Sequence, residues 1–313
     1  MADMYFGIGE EGTFKSAEAA AKYIDIYRES IIPDPGWIIP ETAGRRAFEK
    51  KTAGAYRGRG NVEFPIEPEN GITKILYWLL GSKTSAQQGG TAAWKHTFKP
   101  ADTIKSFTGR VGVSDVTTRE RILGGCLANA LTVRFAHGRE MQAIAEVFNA
   151  GKETHGAIGS ATFSDLDAFV FSQGSVEFAE SAKAIVAEGE VRINNRIPFD
   201  FGVIGDDTFP KIRVGKRLVD GRLSLAFDDT TEYARFLAGT EFKLELLTQG
   251  PVITGSYYYR FDITLPKCVY LRDTAPHVDR REQILLDAPF QAFYNPSDQY
   301  EVMIEVTNKE TSI

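Results

Sequence analysis

Apolar and polar residues alternate one by one through much of the chain. Val62, Phe64 and Ile66 alternate with Glu63, Pro65 and Glu67, the period of two expected of a strand with one buried and one wet face. The same alternation returns in Leu127, Asn129, Leu131, Val133 and Phe135, in Leu223, Leu225 and Phe227, in Tyr259, Phe261, Ile263 and Leu265, and in Val302, Ile304 and Val306. The pattern predicts a mainly β class, and Pro65, which has no N–H for a ladder, predicts an edge or a bulge at its position. One segment has helical spacing instead: Ile72, Ile75, Leu76, Leu79 and Leu80 recur at i, i+3, i+4, i+7 and i+8 before Gly81. This helix is predicted to lie across a sheet face.

The strand and helix together form a unit that recurs. Gly60, a strand over 61–67 and a helix over 71–80 ending at Gly81 are matched by Gly221, a strand over 222–228 and a helix over 231–238 ending at Gly239. Downstream, strands over 106–113 and 127–148 with Cys126 between them are matched by 257–265, Cys268 and 284–306. The repeat predicts two tandem domains, at 23–150 and 165–313, with an N-terminal arm over 1–22 and a linker over 151–164 rich in Gly, Ser and Thr. Each half also carries a long segment of turn-forming and charged residues ahead of its unit, 32–58 and 197–220. Loops of that length are usually functional or disordered.

Length and composition agree with two packed units: 313 residues, 43% hydrophobic and 25% charged. No apolar run approaches the roughly 20 residues of a membrane span, and residues 1–15 lack the apolar block of a secretory signal, so the chain is expected to be soluble and intracellular when made. Cys126 and Cys268 are too few for a disulfide framework and lack zinc spacing. Both are expected as buried thiols. Thirty-six basic against 42 acidic residues, a net charge of -6, gives no footprint for gripping nucleic acid; an acidic wall would repel it.

Catalytic chemistry is not legible. His96, His137, His155 and His277 stand in unrelated contexts without a Ser or Cys elbow. Asp206 with Asp207 and Asp228 with Asp229 lack the spaced ligands of a calcium loop, and turn or cap duty is expected of them, Asp229 as a helix cap. GIGEEG at Gly7 to Gly12 lacks the preceding strand and the basic residue of a phosphate loop. No cofactor and no metal are expected. Lys50, Lys51, Arg57 and Arg59 cluster with Tyr56 in the first long loop, where a subunit contact is a better reading than a nucleic-acid patch. Strand edges and long loops without a site point to self-assembly. Two rivals stay open: a carbohydrate- or receptor-binding β-sandwich using Trp37, Trp78, Trp94 and Tyr257 to Tyr259 as stacking platforms, and a hydrolase with a dispersed site.

The ordered strings YFGIGEEGTF, KYIDIYRES, GNVEFPIEPENGITKILYWLLG, HTFKPADTIKSFTGRVGV and GGCLANALTVRF resemble the tail tube proteins of long-tailed bacteriophages. DAFVFSQGSVEF, RINNRI, YYYRFDITLPKCVY and YEVMIEVTNKET resemble the second part of the same family. The resemblance implies two β-barrel or sandwich tube domains, each with one helix on the outside, and a virion protein that polymerises into stacked rings through which DNA passes without specific binding. It implies a trimeric ring of pseudo-sixfold symmetry in preference to a hexamer. The tape measure, tail terminator and distal tail proteins become expected partners. By the same analogy the long loops reach an adjacent ring, which makes Pro35, Trp37, Arg45, Lys50, Lys51, Tyr56 and Arg57, and Phe199, Phe201, Asp206, Asp207 and Lys211, candidate contacts. The N-terminal segment 1–22 is expected to become ordered on assembly.

Overall fold

A computed structural model describes residues 4–41, 43–44, 46–113, 119–178, 181–182, 186–227, 230–271, 275–277 and 284–311. The first lobe comprises β1 (Met4–Glu10), β2 (Lys22–Asp25), β3 (Arg28–Glu29), β4 (Ile32–Asp34), β5 (Arg57–Pro65), α1 (Ile72–Leu80), β6 (Gly81–Gln87), β7 (Trp94–Pro100), β8 (Phe107–Val113), β9 (Arg119–Ala136), β10 (Gln142–Asn149) and β11 (Thr154–Ala157). The second comprises β12 (Gly174–Phe178), β13 (Ser181–Ala182), β14 (Val186–Asn194), β15 (Leu218–Ala226), α2 (Thr231–Ala238), β16 (Phe242–Thr254), β17 (Tyr257–Tyr270), β18 (Ala275–His277), β19 (Leu285–Ala292) and β20 (Met303–Asn308).

The fold is mainly β and antiparallel, of sandwich type and not closed into a barrel. One long sheet runs through both lobes: β3 and β4 end to end along β5, then β10, β9, β14, β15 and β19, with β18 and the end of β17 at the far edge. Over it lies a second layer in the order β6, β7, β20, β17, β16, β12, β13. The group β2, β1, β8 completes that layer against the first half of β9.

The length of β9 produces this continuity. Its 18 residues pair with β8 near Arg121, with β10 from Cys126 to Arg134, and with β14 of the second lobe from Ala130 to Ala136. A single buried core accordingly extends from Phe6 to Val306. The lobes share a sheet and a core, and the expected linker contributes a strand of its own, β11 on the edge of β9.

Both helices end at a glycine in the left-handed conformation, Gly81 at φ 86° and Gly239 at φ 61°, as the repeat predicts. In each lobe a strand, a helix and a hairpin follow in order: β5, α1, β6–β7 and β15, α2, β16–β17. The cysteines do not correspond, because Cys126 lies in β9 while Cys268 lies in the hairpin strand β17, whose counterpart is β7. Both thiols are buried and free, and burial pushes their pKa up.

Three expectations are corrected. α1 is not on the outside: every residue except Lys74 is buried. Trp78 stacks on Phe107 with ring centroids 4.5 Å apart, and Asn195 from the second lobe donates to the Leu79 carbonyl at 2.8 Å, satisfying one of the carbonyls a helix end leaves free. The apolar stripe understated this helix, since Tyr77 and Trp78 complete its circumference and a helix apolar all round is buried. The N-terminal segment is not an arm awaiting assembly, since Tyr5, Phe6 and Ile8 enter the core and β1 pairs with β8 from Met4↔Val113 to Glu10↔Phe107. Buried Glu11 then accepts from Ser106 (2.6 Å), Thr108 (2.9 Å) and the Gly125 N–H (2.7 Å). Pro65 marks neither an outer edge nor a bulge: it ends β5, opposite Gln142, in a strand flanked on both sides.

Candidate assembly surfaces

In the long sheet Val62, Phe64, Leu131, Val133, Val191, Ile193, Leu223, Leu225, Leu286 and Phe290 face the core. The alternate residues form a wet face. It carries the carboxylates of Glu63, Glu146, Glu188, Glu190, Asp220 and Asp287 and the guanidiniums of Arg134, Arg192 and Arg222, with Arg28 of β3 at its margin. Arg28 pairs with Glu63 (3.6 Å), Arg134 with Glu190 (3.2 Å), Arg192 with Glu146 (3.8 Å), and Arg222 with Asp287. Partial burial pushes the Asp220 carboxyl up. Around Arg134, Glu190, Arg222 and Asp287 the face forms an open concavity of about 710 Å³.

The strands end in two unlike poles. At one, the described residues of 35–56 and 195–217 project. The first loop is closed by the Ile38–Thr52 bridge and exposes Trp37 (51%), Ile38, Ile39 and Phe48 (71%), with the Lys51 ammonium 4.5 Å over the Trp37 ring. The second exposes Val203 and Ile204, while its stem folds back on the first lobe. Ile197, Phe199 and Phe209 join Leu127 and Phe148 in a satellite core, the Phe148 and Phe199 rings 4.5 Å apart.

The candidate contact residues therefore divide. Phe199 and Tyr56 are buried and engaged within the chain, the Tyr56 hydroxyl accepting the Glu153 N–H at 3.2 Å; a buried side chain cannot meet a neighbouring subunit directly. Arg57 binds Asp200, Asp207 pairs with Lys152, and Asp206 lies 3.9 Å from Lys15, its carboxyl held below the usual range by hydrogen bonds from Thr208. Phe201 packs against the satellite core. Trp37, Lys50, Lys51 and Lys211 are exposed and Pro35 half-buried. Arg45, Asp228, Asp229 and the His277 side chain lie outside the described residues.

At the opposite pole the hairpins β6–β7 and β16–β17 stand with their tips together; a Cβ on Gly89 would meet the Tyr257 hydroxyl at 2.6 Å. Beside them an open groove of about 400 Å³ is lined by Asp165, Leu166, Asp167, Phe169 and Pro251. Close by, Glu67 is pushed up to about 7, first by burial and then by the charges of Asp25, Glu140 and Asp167.

His96 is fully buried. Ser85 Oγ lies 2.8 Å from its Nδ1 and Asn308 Oδ1 lies 3.0 Å from its Nε2, an arrangement that ties the β6–β7 hairpin to the last strand; burial pushes its pKa down. His137 is exposed in a turn, and His155 sits 3.8 Å from Glu153. GIGEEG is the end of β1 and the turn after it. Trp78 and Tyr259 are buried, which removes two of the proposed stacking platforms. Among the described residues no group of three His, Cys, Asp or Glu could hold a metal.

A family model described as phage tail tube protein matches residues 1–292. The chain belongs to the phage tail tube family. Membership makes it a structural component of a viral tail that assembles with copies of itself and with other phage proteins, and accounts for a molecule whose most developed features are a two-lobed sheet, loops and hairpins. In this tail tube protein residues 293–313, with β20, lie beyond the match. No curated protein is significantly similar to it. No helix among the described residues is long and apolar enough to cross a membrane. Sequence reasoning missed the paired arginines of the wet face. Their signal was present, because Arg134 and Arg192 each sit at an outward position between two apolar residues, and Arg222 at one between Gly221 and Leu223.

Proposed function

We propose that this tail tube protein closes into rings of three, stacks those rings into the tail tube, and thereby forms the conduit for viral DNA. The observation that carries the reading is the join between β9 and β14. There a strand of one lobe pairs with a strand of the next over seven register positions, from Glu188↔Ala136 to Asn194↔Ala130. Repeating that join between chains brings the β17–β18 edge of one copy to the β3–β4 edge of the next. A head-to-tail contact of this kind closes a ring when the rotation fits. Six lobes in three chains then give pseudo-sixfold symmetry, with 23–150 and 165–313 as the repeated units.

Rings stack pole to pole. The exposed apolar side chains of 35–56 and 203–204 meet the hairpin tips and groove of the next ring, and burying them removes from water a cluster that a soluble surface rarely keeps. The wet face lines the lumen, where its carboxylates repel the phosphates of passing DNA. The tape measure, tail terminator and distal tail proteins complete the structure, which is built in the host cytoplasm.

Electron microscopy of the purified chain tests the reading. Stacked rings of three copies are expected; a particle that stays monomeric alongside its virion neighbours would sink it. Deleting 35–50 should leave a folded subunit that no longer stacks, and tubes of ordinary length from that deletion would remove the loop from the interface.

A further inference from the structure

Arg134, Arg192 and Arg222 in the body of the wet face and Arg28 at its margin are each matched to a carboxylate, on the adjoining strand for three of them and across the intervening β9 for Arg192. The pairs cross β3 to β5, β9 to β14, β14 to β10 and β15 to β19. Glu188 and Asp220 remain as carboxylates without an arginine at ion-pair distance among the described residues, and β3, β5, β10, β9, β14, β15 and β19 contain no lysine. Arg59 and Arg139 are the exceptions, toward the two rims: Arg59 stands at the loop end of β5, and Arg139, in the turn after β9, borders the concavity around Arg134 and Arg222.

A guanidinium on an exposed β surface is a fork made for phosphate. A carboxylate beside it neutralises its charge and occupies part of the fork, so a second anion must compete with that partner. We infer that Glu63, Glu146, Glu190 and Asp287 mask the arginines of this face, so that the wall keeps cations for pairing strand to strand yet offers no handhold to a nucleic-acid backbone. The inference rests on the reading of this face as the lumen. It differs from simple repulsion, because the position of each carboxylate matters and not only the total charge.

Two double variants of equal net charge separate these ideas. Glu190→Gln with Asp287→Asn removes the partners of Arg134 and Arg222; Glu188→Gln with Asp220→Asn removes the same charge and leaves all four ion pairs in place. Binding of a fluorescent DNA duplex to the soluble chain is measured across a salt series, with circular dichroism and melting midpoint as fold controls. The unmasked variant is expected to bind about tenfold more tightly than the control variant, with a salt dependence steeper by about two counterions. The exchange of Arg134→Glu with Glu190→Arg keeps a pair and should behave as wild type, which guards against a folding artefact.

Equal affinity of the two double variants, whether raised or unchanged, overturns masking. The lumen reading is checked apart from it: Thr132→Cys should react with a bulky polymer maleimide in the free chain and be protected in assembled tubes. Equally fast reaction in both would discard the conduit assignment whatever the DNA result.

Discussion

The two helices hold the same place in their lobes, after a strand and before a hairpin, and meet opposite fates. In α1 all residues but one are buried; in α2 only Glu232 is, and Leu237 is 66% exposed. Both have an apolar side. α1 adds aromatic bulk on its remaining faces and packs against β9 and β7, with Trp78 stacked on Phe107 at the start of β8. α2 has no such cover: Phe236 packs partly against the core, and a polar anchor, Glu232, accepts from the Tyr270 hydroxyl at 2.9 Å and lies 3.4 Å from Arg235. A helix in the first lobe has become the centre of a core shared by both, while its counterpart has stayed at the surface.

This contrast can be broken most forcefully at Trp78. Trp78→Ala should cost about 3–5 kcal/mol in urea denaturation and destabilise both lobes in one transition; a transition confined to one lobe would show that the core is not shared. At the polar anchor of α2, Tyr270→Phe leaves a buried carboxylate short of a donor and should cost about 2 kcal/mol, read from the melting midpoint.

A smaller effect sharpens the comparison just ahead of α1. Glu67 has its folded-state pKa raised from 4.5 to about 7, so the folded chain holds a proton that the unfolded chain releases. Its contribution is complete below pH 4.5 and disappears as pH rises towards 7. Glu67→Gln should therefore flatten the decline in melting midpoint across that window, and an unchanged profile would exclude Glu67 as its source. Smallest of all, Leu237→Ala in α2 should change stability by no more than about 0.5 kcal/mol. A loss comparable to that of Trp78→Ala would mean that α2 is buried by a partner even in the purified protein.

Much of the fold was legible because alternation is a local property. Strands β5, β9, β15, β17 and β20, both helices and both terminal glycines lie where spacing placed them. The site was less so. Trp37 and Lys51 are exposed in the first loop, whereas Phe199 and Tyr56 are interior, since an aromatic in a long loop has the same sequence signature whether it meets another subunit or its own chain. The wet-face pairs were hidden for a related reason: Arg134 and Glu190 lie far apart in sequence and meet only through the register of β9 with β14.

By itself, then, the sequence determined the mainly β class, the strand–helix order in each half, the absence of a membrane-length apolar run and the family resemblance. All of these depend on neighbours a few residues apart or on ordered motifs along the chain. Only the tertiary structure decided that the halves share one sheet and one core, that α1 is interior, that β1 is built in, and which arginine faces which carboxylate. Those outcomes depend on strand register and on what covers each apolar surface, and a one-residue slip in register would have turned every such side chain to the other face.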